Sequence, residues 1–91
     1  GNGPMTYSVI IIPIAQKQLD KLDKEVKTRI LNSLERIRVR PYDYVEKVIG
    51  SPYYKLRVGD YRAILRIIDD KLIILVVKAG HRKNIYKRLL F

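Results

Sequence analysis

The sequence predicts an α+β domain: two N-terminal antiparallel helices covering one face of a small antiparallel sheet, in the order β-α-α-β-β-β-(α). Three observations predict it. Apolar residues recur at helical spacing from Ala15 to Ile37, the period changes to two from Tyr53 onward, and Gly59-Asp60 stands between two period-two runs as a hairpin turn. With 91 residues of which 47% are apolar, the chain has material for one domain and one modest core. Gly1-Asn2-Gly3-Pro4, ahead of Met5, reads as a remnant of expression, which leaves residues 5–91 as the single domain.

The elements follow in order. Thr6 to Ile12 is β-branched and apolar and reads as the first strand. Pro13 suits the first turn of a helix, because its missing N–H would have no partner there anyway. Ala15, Leu19 and Leu22 share one face of that helix, which runs to about Leu22. Asp23 is placed to cap a second helix, in which Val26, Ile30, Leu34 and Ile37 repeat at i, i+4, i+8 and i+11. The second helix ends before Pro41, since the residue preceding a proline avoids the α region. Pro41 to Pro52 is a connector with a short extended piece at Lys47-Val48-Ile49. In the next strand Tyr54, Leu56 and Val58 face one side, and Lys55 and Arg57 the other. Tyr61 to Ile68 forms the following strand, Asp69-Asp70 turns it, and Lys71 to Lys78 forms another. That last run is apolar on both faces and is expected to be central or covered on both sides. His81 to Tyr86 leads into a short C-terminal helix that packs through Leu89, Leu90 and Phe91.

Charge narrows the function. The formal net charge is +10, and it is uneven: residues 1–52 carry 9 Lys/Arg against 6 Asp/Glu, residues 53–91 carry 10 against 3. The excess gathers beside tyrosines on the sheet half, which suits nucleic acid, an acidic partner, or both. No apolar run is long enough to span a bilayer and no signal-peptide pattern follows Met5, so a cytoplasmic protein without a membrane partner is expected. With no cysteine, one histidine and no carboxylate cluster or Gly-rich phosphate loop, no metal site and no cofactor are expected. An enzyme built from this sequence would work with Lys, Arg, Tyr and one His. Those groups fit RNA cleavage by a nucleotide's own 2′-OH. That oxygen must lose a proton, the phosphorane needs cations, and the leaving 5′ oxygen needs a proton. Arginine is the phosphate clamp, and a lysine crowded by guanidiniums can act as a base.

Two motifs carry a family resemblance. Tyr54-Lys55-Leu56-Arg57-Val58-Gly59-Asp60-Tyr61-Arg62, then an apolar strand pair, then Gly80-His81-Arg82-Lys83-Asn84-Ile85-Tyr86 resembles the RelE branch of the RelE/ParE toxin superfamily. The resemblance extends over nearly the whole chain from Met5 and implies a RelE-like fold. It also implies a metal-independent endoribonuclease (an mRNA interferase) that enters the ribosomal A site, cuts mRNA there and is held inactive by a cognate antitoxin, here an acidic one. The ribosome with its rRNA and the mRNA are thus the implied partners. By motif, Lys55 takes the position of the proposed general base and Arg57 that of a second basic residue, often lysine. Arg62 and Arg82 take the positions of phosphate-stabilising arginines, with leaving-group protonation also ascribed to Arg82. Tyr86 takes that of the residue that stacks on or orients a base. Lys83 adds charge for RNA, and His81 is a candidate acid.

Each of these residues has a plainer reading. Lys55 and Arg57 suit the solvated face of an edge strand, and Arg62 could pair with Asp60 or Asp69. Arg82 could merely end a strand, Tyr86 could pack the C-terminal helix, and His81 suits a turn. The alternative functions are inhibition of DNA gyrase, as in the ParE branch, and RNA binding without cleavage.

Overall fold

The computed structural model describes residues 5–86. Strand β1 (Ser8–Ile11) is followed by helices α1 (Pro13–Asp20) and α2 (Lys24–Arg36), then by β2 (Val45–Lys47), β3 (Tyr54–Val58), β4 (Tyr61–Ile68) and β5 (Ile73–His81). The five strands form one sheet in the order β1-β5-β4-β3-β2. β2, β3, β4 and β5 pair antiparallel, whereas β1 pairs parallel with β5, so the sheet is mixed rather than wholly antiparallel. The two helices connect β1 to β2 at the opposite edge of the sheet, so no tight hairpin joins β1 to its neighbour β5 and their pairing is free to be parallel. β5 is interior as expected, flanked by β1 and β4.

Local chemistry sets the helix ends. Pro13 opens α1, and Gln16 donates its backbone N–H to the Ile12 carbonyl. The chain turns at Lys21 and Leu22, two residues short of the helix end expected from the apolar spacing. Asp23 holds the N-cap position of α2, but its side chain makes no capping hydrogen bond. Its carbonyl instead accepts the first helical bond, from Lys27 N at 2.9 Å. The far end of α2 is tied to β1 twice: Tyr7 N donates to the Arg38 carbonyl at 2.9 Å, and Arg38 Nε donates to the Tyr7 carbonyl at 2.8 Å.

One face of the sheet carries the main core. Ala15 and Leu19 of α1, Ile30 and Leu34 of α2 and Ile37 just after it meet Leu56, Val58, Ala63, Leu65, Ile74, Val76 and Ala79. The other face carries a smaller cluster in which Ile64 and Ile85 are fully buried among Val48, Tyr53 and Val77. A register shift opposite Ile64 and Leu65 leaves Val77 without a Cα partner, a bulge on β5. Just past it, the Ala79 N–H donates to Gln18 Oε1 of α1 at 2.9 Å, so the helix layer satisfies a donor beside the irregularity. The expected extended piece near Lys47-Val48-Ile49 is real but lies earlier, as β2. Val48 and Ile49 belong to the turn after it, where Gly50 has φ +78°. The helix expected around Leu89, Leu90 and Phe91 lies outside the described residues.

Candidate functional site: the open face of the sheet

Strand alternation sorts the side chains. On β3, Leu56 and Val58 enter the helix-covered core, so Lys55 and Arg57 project from the opposite, open face. On β4, Ala63 and Leu65 are core, which sends Arg62 and Ile64 to that same open face. The register then builds two rows across it. In one, Glu46 of β2 lies opposite Lys55, and Lys55 opposite Ile64. In the other, Arg57 lies opposite Arg62, and Arg62 opposite Gly80. Two guanidiniums directly across a strand pair repel each other. Such an arrangement is natural where an anion is to lie between them.

The β3–β4 turn fixes the upper row. Gly59 sits at φ +60°, a left-handed conformation that glycine takes without a steric penalty. A Cβ there would also meet Arg29 Nη2 of α2 at 2.7 Å. Arg62 bends back onto this turn, its Nη1 donating to the Gly59 carbonyl at 2.9 Å and the Tyr61 carbonyl at 2.8 Å. Arg62 therefore pairs with neither Asp60 nor Asp69. The partner of Asp60 is Arg82: Arg82 N donates to the Asp60 carbonyl at 2.8 Å, and Arg82 Nε lies 3.5 Å from Asp60 Oδ1. The turn thus anchors both Arg62 and the segment that follows β5.

That segment folds over the sheet end. Asn84 and Ile85 donate their N–H groups to the His81 carbonyl, and Ile85 is buried against Ile64. Ile85 Cδ1 packs over Gly80, 3.6 Å from where a Cβ would stand, an ordinary contact distance. Burying Ile85 carries the next residue with it, and the Tyr86 ring lies 5.8 Å from Lys55 Nζ in cation–π range. Lys55 Nζ is also 4.0 Å from Glu46 Oε2. Lys83 is exposed on the same turn.

The register sets Lys55, Arg57 and Arg62 on one face, the Tyr86 ring lies near Lys55, and Arg82 is held at the adjoining turn, while the Arg62 guanidinium is folded back onto that turn. His81 does not join them. That residue lies opposite Tyr61, whose ring packs on the helix-side core, and the two rings meet edge to face at 5.3 Å. His81 Nδ1 accepts the Lys83 N–H at 3.1 Å, the role of a turn residue. Tyr54 likewise turns away, packing edge to face on Tyr42 at 5.4 Å with Lys47 Nζ over its ring. Of the rings near the second basic motif, Tyr86 is the exposed one on the open face, and Tyr53 is half-buried in the cluster beneath it. Two residues that the structure sets beside these groups were not singled out by the sequence, Glu46 next to Lys55 and Arg29 next to Gly59. Glu46 was hidden in the connector, where no period announced β2, and Arg29 was indistinguishable from the solvated face of α2.

At the opposite end of the sheet a separate cluster locks the fold. Tyr7 Oη donates to Asp69 Oδ1 at 2.7 Å, and Tyr42 Oη reaches Asp69 Oδ2 at 2.8 Å. The hydrogen bond to Asp69, with partial burial, pushes Tyr7 above the usual tyrosine range. Partial burial and then the same carboxylate push Tyr42 higher still. Among the described residues no group of three or more His, Asp or Glu could hold a metal ion, and no helix is long and apolar enough to cross a membrane.

A small basic α+β domain with a cationic open sheet face beneath a C-terminal turn is the class these features define. Comparisons with known proteins place it. The family model described as "ParE toxin of type II toxin-antitoxin system, parDE" matches residues 9–86. A RelE-like toxin protein of Escherichia coli is 32% identical over 83 residues, 88% of this chain and 87% of the relative. The mRNA interferase toxin RelE of E. coli K12 is 28% identical over the same shares. Among solved structures, the RelE–RelB complex of Pyrococcus horikoshii matches with TM-score 0.74 at 29% identity, covering 88% of this chain and 99% of the matched chain. A mutant E. coli RelE in the free state matches with TM-score 0.72 at 28% identity, covering 94% of this chain and 100% of the other. The chain belongs to the RelE/ParE superfamily of type II toxin–antitoxin toxins, as a RelE-type member.

Proposed function

We propose that this toxin is an endoribonuclease that cuts mRNA in the ribosomal A site, without a metal, and so stops translation. The observation that carries the reading is the facing pair Arg57 and Arg62, with Lys55 one row away and Arg82 held at the adjoining turn. A phosphodiester laid on the open face meets guanidiniums from β3 and β4, and a third reaches it from the turn after β5. These donors oppose the negative charge that grows on the phosphorane as the 2′ oxygen attacks. The exposed Tyr86 ring offers a stacking surface for a base next to the cut. The 2′-OH proton leaves on the β2–β3 side of the face, where the family resemblance assigns its removal to Lys55. RelE-named relatives that carry the term mRNA interferase support this activity. A cognate antitoxin is the controlling partner, because several structural neighbours are RelE–RelB or RelBE complexes. An acidic one would complement the +10 charge.

Induction of the chain in bacteria tests the reading. Wild type is expected to arrest growth with loss of intact mRNA, and Arg57→Ala or Arg82→Ala to relieve the arrest while the purified variants still melt cooperatively. The match to a ParE model favours one second reading, inhibition of DNA gyrase. Accumulation of cleaved DNA–gyrase complexes with mRNA left whole would select it.

A further inference from the structure

We infer that Asp60 is a positioning residue for Arg82: its carboxylate holds the guanidinium by the Nε side and leaves both terminal nitrogens free for a phosphate. The inference rests on the ribonuclease reading above, in which Arg82 reaches the phosphodiester from the turn after β5, and it adds the residue that aims it. Three observations carry it. First, the ladder between β4 and β5, which pairs Tyr61 with His81, runs one step further. Arg82 donates its backbone N–H to the Asp60 carbonyl at 2.8 Å, so the two residues stand side by side where β5 ends.

Second, the two side chains meet through Nε. Arg82 Nε lies 3.5 Å from Asp60 Oδ1, and neither residue has another ion-pair partner among the described residues. A carboxylate on the Nε side leaves the two Nη groups, and that fork is the part of an arginine that grips a phosphate with two hydrogen bonds. Arg62 gives the contrast, because its Nη1 is already taken by the Gly59 and Tyr61 carbonyls. Third, the backbone of the turn makes no demand for an acid at this position. Of the two turn residues only Gly59 has a positive φ, and the Asp60 side chain is 72% exposed. An exposed ion pair adds little to stability. What it does is select a rotamer for a long side chain that is itself 53% exposed and would otherwise sample many. A phosphate contact is most effective when its donors are already in place as the substrate arrives.

The plainer reading is an aspartate favoured by a hairpin turn, a role that asparagine fills equally well, so Asp60→Asn separates the two. Single-turnover cleavage on programmed ribosomes, with ribosome affinity and thermal melting measured alongside, tests the assignment. Asp60→Asn is expected to melt with the wild type and to bind ribosomes at least as tightly, while cleaving at least about 10-fold more slowly. Asp60→Glu, which restores a carboxylate, should recover part of the rate. In an Arg82→Ala background Asp60→Asn should remove nothing further, because it acts only through Arg82. A wild-type or faster rate in Asp60→Asn overturns the assignment, as does a rate loss that comes with a lower melting temperature, or an equal further loss in the Arg82→Ala background. Each of these leaves the nuclease reading standing. No cleavage by the wild-type protein overturns both.

Discussion

Two residues show how single positions hold this site. Gly59 is left-handed and lies under the Arg29 guanidinium, so Gly59→Ala incurs the αL penalty of about 1–2 kcal/mol while the flexible arginine swings aside. Urea unfolding should show a lower midpoint with an unchanged slope, and unchanged stability would show that the turn relaxes. Asp69 is the second case, accepting hydrogen bonds from both Tyr7 and Tyr42 at the end of the sheet remote from the site. Tyr42→Phe removes one of them and should cost about 1 kcal/mol. The pH dependence has a definite sign. Both tyrosines are raised in the fold, by hydrogen bonding and burial for Tyr7 and by burial and hydrogen bonding for Tyr42, so their stabilisation is complete below about pH 10, the unfolded tyrosine value. It is lost as pH rises from there through the folded values. The stability gap between wild type and Tyr42→Phe should therefore narrow in denaturant midpoints taken above pH 10, and a gap that widens would refute the clamp.

At the scale of elements, the open face depends on the apolar floor beneath its charges. Ile64 is fully buried there with Ile85, so Ile64→Ala should lower stability by about 2–5 kcal/mol and loosen the turn that carries Arg82 and Tyr86. Thermal melting checks the first effect and amide exchange at residues 82–86 the second. The antiparallel strands were the most legible part of the fold. β4 begins and ends where its composition says, because Gly59-Asp60 and Asp69-Asp70 bracket a β-branched run. The helix faces were legible too, since Ile30, Leu34 and Ile37 had to meet something apolar. The parallel pairing of β1 was not, because periodicity fixes which face a residue takes and says nothing of strand direction. β2 escaped for a different reason: three residues make no period, and its position is set by pairing with β3. His81 is the candidate whose placement the sequence did not reveal. Its place in the motif suggested chemistry, but β5 runs on to include it opposite Tyr61, and the extra residue at the Val77 bulge cannot be seen in the sequence. Lys55, Arg57 and Arg62 were legible because strict alternation from Leu56 to Ala63 leaves them one face to occupy.

At the scale of the molecule, the charge asymmetry seen along the sequence becomes an asymmetry of faces. The strand half carries the larger excess, and the open face collects Lys55, Arg57 and Arg62 away from the helix layer. Binding of single-stranded RNA should weaken steeply with salt, and each phosphate contact removed should lower the log–log slope by about 0.7. Arg57→Ala should show that reduction and Lys17→Ala, an exposed residue of α1 in the helix layer, should not. Equal slopes for the two variants would mean that RNA does not lie on the sheet. The central claim, that the face cuts mRNA as well as binding it, is tested most directly by mapping 5′ ends on ribosomes programmed with a defined A-site codon. Wild type is predicted to produce new 5′-hydroxyl ends at that codon, and Arg82→Ala to produce them at least about 10²-fold more slowly. Intact mRNA with wild-type protein, or equal cleavage by Arg82→Ala, would contradict the account.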